Sequence, residues 1–331
     1  MSKLRFGIIG FGKMGQIRYT TIKQLPACEV IAIYESDKSI ALPEGVSIAA
    51  NAAAVFNHPQ VDAVVISTPN HLLKDLVISS LNAGKHVFCE KPPGRNLIEL
   101  EAMAEAEGKS GRKLMFGFNH RHHESMLHAK KLIDSGQFGK LLWMRGRYGK
   151  NVDAKFFENW RSKKELAGGG IFLDQGIHML DLFLMFANNF DDVHAFVSNL
   201  YWKLDIEDNV FAIFRNTKTG VAASLHSTMT QWRHIFSLEI FLERGYITIN
   251  GLKTSSNSYG DEAMTIARNR TLPPDASWTD EEKITFHTDY SWTKEMTVFV
   301  DAIKQNKSIE VGNTSDARRL MTIVERVYAN Q

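Results

Sequence analysis

The most constraining feature of this chain is a glycine-rich turn close to its start. An apolar run at residues 4–9 (LRFGII) leads directly into Gly10-Phe11-Gly12-Lys13-Met14-Gly15. Residues 16–25 keep helical character until Pro26, residues 30–34 (VIAIY) read as a second buried strand, and Glu35 stands at its end. A GxGxxG run alone is a weak signal. A strand before it, a helix after it and an acid about 20 residues on make it a specific one. Gly10 permits the tight turn, Gly12 lets the backbone approach a pyrophosphate, and Gly15 lets the helix pack closely on the strand. The helix N-terminus offers free N–H groups and a positive dipole end to the phosphates. Phe11, Lys13 and Met14 complete the loop. Glu35 sits where a carboxylate would accept hydrogen bonds from adenosine ribose hydroxyls and repel a 2′-phosphate, which favours NAD. Lys38 lies nearby and could hold a 2′-phosphate instead, so NADP stays open.

Further strands extend the pattern. Residues 61–67 (VDAVVIS) end in Thr68-Pro69-Asn70-His71, and a helical stretch at 72–83 is stopped by Gly84. Residues 85–89 (KHVFC) end in Glu90-Lys91-Pro92, and the run 114–118 ends at Asn119. Ligands bind at the carboxyl ends of the strands in such sheets. Thr68, Asn70, His71, Glu90, Lys91 and Asn119 are therefore expected on the cofactor side.

With 331 residues the chain is long enough for about two domains. The expected division is a dinucleotide-binding domain at 1–119 and a substrate and oligomerisation domain at 120–331, with a terminal helix near 316–329 that could pack back on the first. Lys plus Arg number 39 and Asp plus Glu 37, giving +2, with no basic face to suggest nucleic acid. The apolar run 177–187 is short of the about 20 residues a bilayer needs, so no membrane partner is expected. Two cysteines, Cys28 and Cys89, form no metal-ligand spacing. Together with the absence of a secretory signal at the start, they suggest reduced thiols in a cytoplasmic protein.

A second constellation lies at 171–187 (IFLDQGIHMLDLFLMFA), which has helical length and is apolar almost all round. Such a helix is expected to be buried. Asp174, His178 and Asp181 stand at i, i+4 and i+7 on one of its faces. Burying two carboxylates and an imidazole is costly unless they are paired or used, so the stripe is a site candidate. The bland alternative is a satisfied structural network. Gly168-Gly169-Gly170 just before it would allow close backbone approach to a ligand. The run Asn119-His120-Arg121-His122-His123 invites a metal, but adjacent strand side chains point to alternate faces and no ligand set is completed, so none is expected. Arg121, Trp160 and Arg161 are candidate substrate contacts, with a packed Trp and a solvated Arg as the alternative. Beyond residue 192, strand-like runs at 193–202, 210–214, 221–230, 235–242 and 246–249 predict hairpin-linked antiparallel strands. Residues 254–282 read as an irregular excursion. His226, Gln231 and Trp232 read as ordinary sheet positions rather than substrate contacts.

The runs GIIGFGKMG, ISTPNH, AGKHVFCEKP, GFNHR and GGGIFLDQGIHMLD together resemble the glucose–fructose oxidoreductase / inositol dehydrogenase / MocA family over nearly the whole chain. That resemblance implies an α/β protein: a Rossmann domain followed by an α+β domain with a large, mostly antiparallel, open-faced sheet. It implies an NAD(P)-dependent oxidoreductase acting on a CH–OH group of a sugar, cyclitol or nucleotide-sugar derivative. Lys91 would hydrogen-bond the reacting hydroxyl, with Asp174 and His178 completing the catalytic group; from its place on the polar stripe, Asp181 is a substrate-side candidate or a residue that orients its neighbours. The family's members associate through the open sheet face as dimers or tetramers. In one departure, the family often has a histidine two positions after His71, where this chain has Leu73. The chemistry suits these residue types: an imidazole takes the hydroxyl proton, and an ammonium stabilises developing alkoxide charge. The alternative readings are a glycosidase or epimerase with tightly bound, recycled NAD, and a non-catalytic dinucleotide-binding sensor.

Overall fold

A computed structural model describes residues 3–268 and 277–329. In chain order its elements begin β1 (Leu4–Ile9), α1 (Lys13–Lys23), β2 (Cys28–Tyr34), β3 (Ser47–Ile48) and α2 (Ala52–Phe56). There follow β4 (Ala63–Ile66), α3 (Asn70–Asn82), β5 (His86–Glu90), α4 (Leu97–Ser110) and β6 (Leu114–Gly117). A 3-10 turn (Asn119–His122) precedes α5 (Glu124–Asp134), β7 (Leu141–Asn151) and α6 (Lys164–Ala167). A π-helical turn (Phe172–Gly176) runs into α7 (Ile177–Ala187). The strands β8 (Asp192–Ser198), β9 (Asn209–Arg215), β10 (Ala222–Thr228), β11 (Thr230–Leu242) and β12 (Gly245–Asn250) come next. They are followed by β13 (Glu262–Arg268), β14 (Glu282–Phe286), α8 (Ser291–Lys304) and α9 (Thr314–Tyr328). The described residues fall into two compact units. One is drawn from Met1–Asn119, Glu165–Gly168 and Trp292–Met321, the other from His120–Lys164, Gly169–Ser291 and Thr322–Gln331.

The first unit is a parallel sheet in the order β3-β2-β1-β4-β5-β6. This is the doubly wound dinucleotide-binding order. Its central strands are apolar on both faces, as a sheet covered on both sides requires: all four residues of β4 are fully buried. Residues of α8 complete one core layer, with Phe299 edge-on to Phe88 at 5.7 Å.

One charge sits inside this unit. Arg18 of α1 is wholly buried, its Nε 2.6 Å from Glu90 of β5 and its Nη2 2.7 Å from Glu295 of α8. The guanidinium also lies 4.3 Å from the Phe88 ring centroid and 4.7 Å from that of Trp292. An unpaired guanidinium there would be untenable, so three elements are held in one arrangement around it.

The second unit is an eight-stranded sheet, β14-β13-β12-β11-β7-β10-β9-β8, antiparallel except where β7 meets β10. It departs from the sequence expectation in three ways. The long strand β7 carries little sequence signal, because charges at Arg145 and Arg147 and two glycines mask its period-2 pattern. Yet Met144, Gly146 and Tyr148 point inward and Trp143, Arg145 and Arg147 outward. The parallel β7–β10 pair breaks the run of hairpins. The stretch expected to be irregular contains β13, while residues 269–276 of it lie outside the described residues. The inner face is covered by α7, where a side chain at Gly146 would collide with Met179 and Phe183. A helical stretch, Lys164–Ala187, has a window apolar and long enough to cross a bilayer, but 78% of that window is buried within the protein. That is the state of a core helix.

The Arg18 cluster predicts a pH dependence. Burial, with Glu90 adding to it and Arg18 opposing, pushes Glu295 from the ordinary 4.5 up to about 7. An acid whose folded pKa is raised binds its proton more tightly when folded. Its contribution to stability is complete below about 4.5 and is lost as pH rises through about 7. The urea midpoint should fall between about pH 5 and about pH 8, and Glu295→Gln should flatten that fall.

Candidate functional site

In the first unit, the phosphate loop has the shape its sequence requires. Gly10 has φ +88°, and a methyl group there would come 2.7 Å from the Ser67 carbonyl oxygen. A methyl on Gly15 would overlap the Gly10 carbonyl, so α1 packs against the loop backbone. Gly12 caps α1 and faces open space, with nothing within 4 Å of an added methyl. Glu35 accepts hydrogen bonds from the N–H of Phe11 at 2.5 Å and of Asp37 at 2.9 Å. Its carboxylate is thus fixed beside the loop, with lone pairs to spare. The Phe11 ring is buried, edge-on to Tyr19, so only its backbone faces the loop. Lys13 is exposed and Met14 half-buried. Lys38 reaches the Glu35 carbonyl at 3.3 Å.

Beyond β4, Thr68 Oγ1 and His71 Nδ1 are buried polar atoms without a hydrogen-bond partner. Such atoms are costly unless a ligand or water satisfies them. The open Gly12, the fixed Glu35 carboxylate and these two atoms suit a dinucleotide. Other expected cofactor-side residues are engaged within the protein. The Asn70 amide donates to the Ala167 carbonyl at 2.8 Å, and Glu90 pairs with Arg18. Lys91 is half-buried directly after β5, joined to Pro92 by a cis peptide. Asn119 is buried just beyond β6, and Leu73 is a core residue of α3.

In the second unit, the stripe on the buried helix resolves into three separate contacts. The π turn carries Asp174, so the helix is not α-helical throughout; such turns often mark functional sites. Asp174 accepts from Lys150 Nζ at 2.5 Å and lies 3.6 Å from Arg161 Nε, whose guanidinium stacks over Trp160 at 4.3 Å. Asp181 is wholly buried and takes both arms of Arg121, at 2.6 and 2.5 Å. These two expected substrate contacts are paired with each other. His178 is buried with its ring stacked on that of His120 at 3.9 Å and 17°.

Lys150 is the functional candidate that sequence reasoning missed. It is on β7 at the same parity as Met144, Gly146 and Tyr148, so a correct reading of that strand would have turned it inward toward Asp174. Of the remaining histidines, His123 pairs with Glu262 at 2.8 Å. His226 lies on the outer sheet face, bonded to Asn209 and stacked on Phe211, and Trp232 is exposed.

The glycine run has a different explanation from the one expected. A methyl on Gly169 would overlap the Tyr328 hydroxyl, and one on Gly170 the Glu207 carbonyl. The close neighbours there are protein atoms. Glu207, itself buried, accepts from the N–H groups of Gly170 at 2.7 Å and Phe172 at 3.0 Å and from the Tyr328 hydroxyl at 2.9 Å. Its backbone carbonyl takes the N–H of Ile171 at 3.2 Å. Three consecutive N–H groups at the start of the helical run that carries Asp174 and His178 are thus anchored by one residue.

These features define a doubly wound, dinucleotide-type domain followed in the chain by a second, sheet-based domain. Residues 4–118 match the family described as "Oxidoreductase family, NAD-binding Rossmann fold", and residues 126–248 match the "GFO/IDH/MocA C-terminal domain". The chain belongs to the Gfo/Idh/MocA family of NAD-binding oxidoreductases. Levoglucosan dehydrogenase of Pseudarthrobacter phenanthrenivorans is 30% identical over 213 residues, which is 60% of this chain and 55% of that protein. Myo-inositol 2-dehydrogenase of Thermotoga maritima is 25% identical over 78% of this chain and 79% of its own. The alignment thus spans only about half of the first of these relatives. The structure of a levoglucosan dehydrogenase in complex with NADH has the same fold, with a TM-score of 0.85, 23% identity, and coverage of 99% of this chain and 97% of that one.

The Glu207 anchor predicts a stability ranking. Tyr328→Phe removes one donor and should lower unfolding free energy by about 1 kcal/mol. Glu207→Ala strands two backbone N–H groups and a hydroxyl and should cost about 3 kcal/mol, both read from urea denaturation.

Proposed function

We propose that this chain is an NAD-dependent dehydrogenase that oxidises a secondary hydroxyl of a sugar, cyclitol or sugar derivative. Bound in the loop of the first unit, the nicotinamide cofactor would supply the hydride acceptor. Gly10, Gly12, Gly15 and Glu35, with Thr68 and His71, would hold it. Lys91 is assigned as the clamp on the reacting hydroxyl, where an ammonium stabilises developing alkoxide charge. His178 is assigned as the acid/base that takes the hydroxyl proton, and Asp174 as the substrate anchor, with Lys150 and Arg161 beside it. The observation that carries the reading is the ion pair between buried Lys150 of β7 and half-buried Asp174, which stands one turn before His178 on a largely apolar helical run. The names of the relatives support the substrate class.

The test is a panel of levoglucosan, inositols, free sugars and nucleotide sugars, with NADH absorbance and product followed together. Net NADH should accumulate with at least one member of the panel. Lys91→Ala and His178→Asn should each lower kcat at least ~100-fold. Product formed without net NADH would favour the cofactor-recycling alternative, and full activity in both variants would sink the assignment of roles.

We also propose that the chain pairs with a second copy of itself through the outer face of the eight-stranded sheet. That face carries a stacked ladder of Trp143, Phe241 and Tyr246 and exposed Phe196, Phe211 and Ile213. Two of its arginines are paired within the face, Arg145 with Glu239 and Arg215 with Asp192, while Arg147 also points outward. An apolar face that carries few unpaired charges is suited to a self-complementary contact. Light scattering should give a multiple of the single-chain mass, reduced to the single chain in a Phe211→Glu, Ile213→Lys double variant.

A further inference from the structure

His120 belongs to the histidine-rich run that neither the cofactor loop nor the proposed catalytic roles explain. It lies in the 3-10 turn Asn119–His122 and is buried, as is His178 on α7. The two rings are stacked with centroids 3.9 Å apart and planes 17° from parallel. His120 is held in turn: its Nε2 is 2.9 Å from the Tyr148 hydroxyl. Tyr148 is itself fixed by Phe236, edge-on at 5.3 Å, and by Tyr259 at 5.4 Å. Tyr259 accepts a hydrogen bond from Gln175 at 2.7 Å, and Gln175 stands three residues before His178 on the same helical run. The frame therefore starts and ends on the helix that carries His178.

We propose that His120 is a positioning residue for His178, its flat ring acting as the plate that fixes the plane of the His178 imidazole. The terminal torsion of a histidine is broad, so the backbone of α7 does not by itself set the plane of the ring. A second aromatic ring stacked on it at van der Waals distance blocks that rotation. An acid/base needs its nitrogen within hydrogen-bond reach of the proton it moves, so ring rotation would be lost rate. This rests on His178 being the acid/base of the proposed dehydrogenase; the stacking of the rings does not.

Two variants separate the plate from the polar atoms. His120→Phe keeps a flat ring and loses the bond to Tyr148. His120→Asn keeps a polar group and loses the plate. In protein labelled at histidine, the His178 ring protons, assigned with His178→Asn, should be displaced by ring current in the parent chain and in His120→Phe. In His120→Asn that displacement should be lost. With an oxidisable substrate, His120→Phe should keep kcat within about 3-fold, whereas His120→Asn should lower kcat by about 10- to 100-fold with KM for NAD unchanged. Equal retention in both variants, equal loss in both, or loss confined to His120→Phe would each overturn the proposal. If no substrate of the panel is oxidised, the dehydrogenase reading fails while the proton signals still decide the orientation of the ring.

Discussion

The interior of this protein is organised by the cost of removing charge from water. Isolated, a buried guanidinium or carboxylate would lose several kcal/mol of hydration, so each must bring its partner with it. Arg18 does so with Glu90 and Glu295, Arg121 with Asp181, His123 with Glu262, and Lys150 with Asp174. Each pair joins elements that are far apart in sequence. Apolar packing specifies that strands and helices meet, but it is tolerant of small slides. A bidentate contact such as Arg121–Asp181 tolerates much less, and so it sets the register in which α7 lies against the 3-10 turn.

The same argument gives Glu207 its place. Burial raises its pKa, while the N–H groups of Gly170 and Phe172 and the Tyr328 hydroxyl favour the charged form. The two N–H groups are among the orphan donors that the start of any helix leaves unsatisfied. One acid therefore resolves two deficits at once, its own desolvation and that of the helix start. Two of the three consecutive glycines follow from this arrangement, because a side chain at Gly169 or Gly170 would displace the anchor.

Much of the first unit was legible in the sequence because its determinants are local. The turn at Gly10, the open approach at Gly12 and the strand ends before Thr68 and Lys91 are all set within a few residues of each other. The second unit was less legible because its determinants are paired across distance. Asp174, His178 and Asp181 stood out as polar residues on an apolar helix, but an i, i+4, i+7 spacing assumes α-helical geometry, and the π turn breaks it. Their partners Lys150, His120 and Arg121 lie on a strand and a turn whose positions relative to α7 no local pattern specifies. The strand β7 is masked because its outward positions carry arginine and its inward ones include glycine, so the hydrophobic alternation is weak although burial alternates from Trp143 to Tyr148.

The paired arrangement also bears on what a histidine needs in order to work as an acid/base. Such a group must be held firmly in place and yet not be locked in one charge state, and an ion pair achieves the first at the expense of the second. His123 illustrates the structural use: it is bonded to Glu262 in the buried interior. His178 is held by a neighbouring ring. Stacking restrains the plane of an imidazole through contact area, with little preference for either charge state compared with a carboxylate at hydrogen-bond distance. Among the buried histidines of the second unit, His123 sits on a carboxylate and His178 against an aromatic plate, so the plane of the proposed acid/base is set beside a ring.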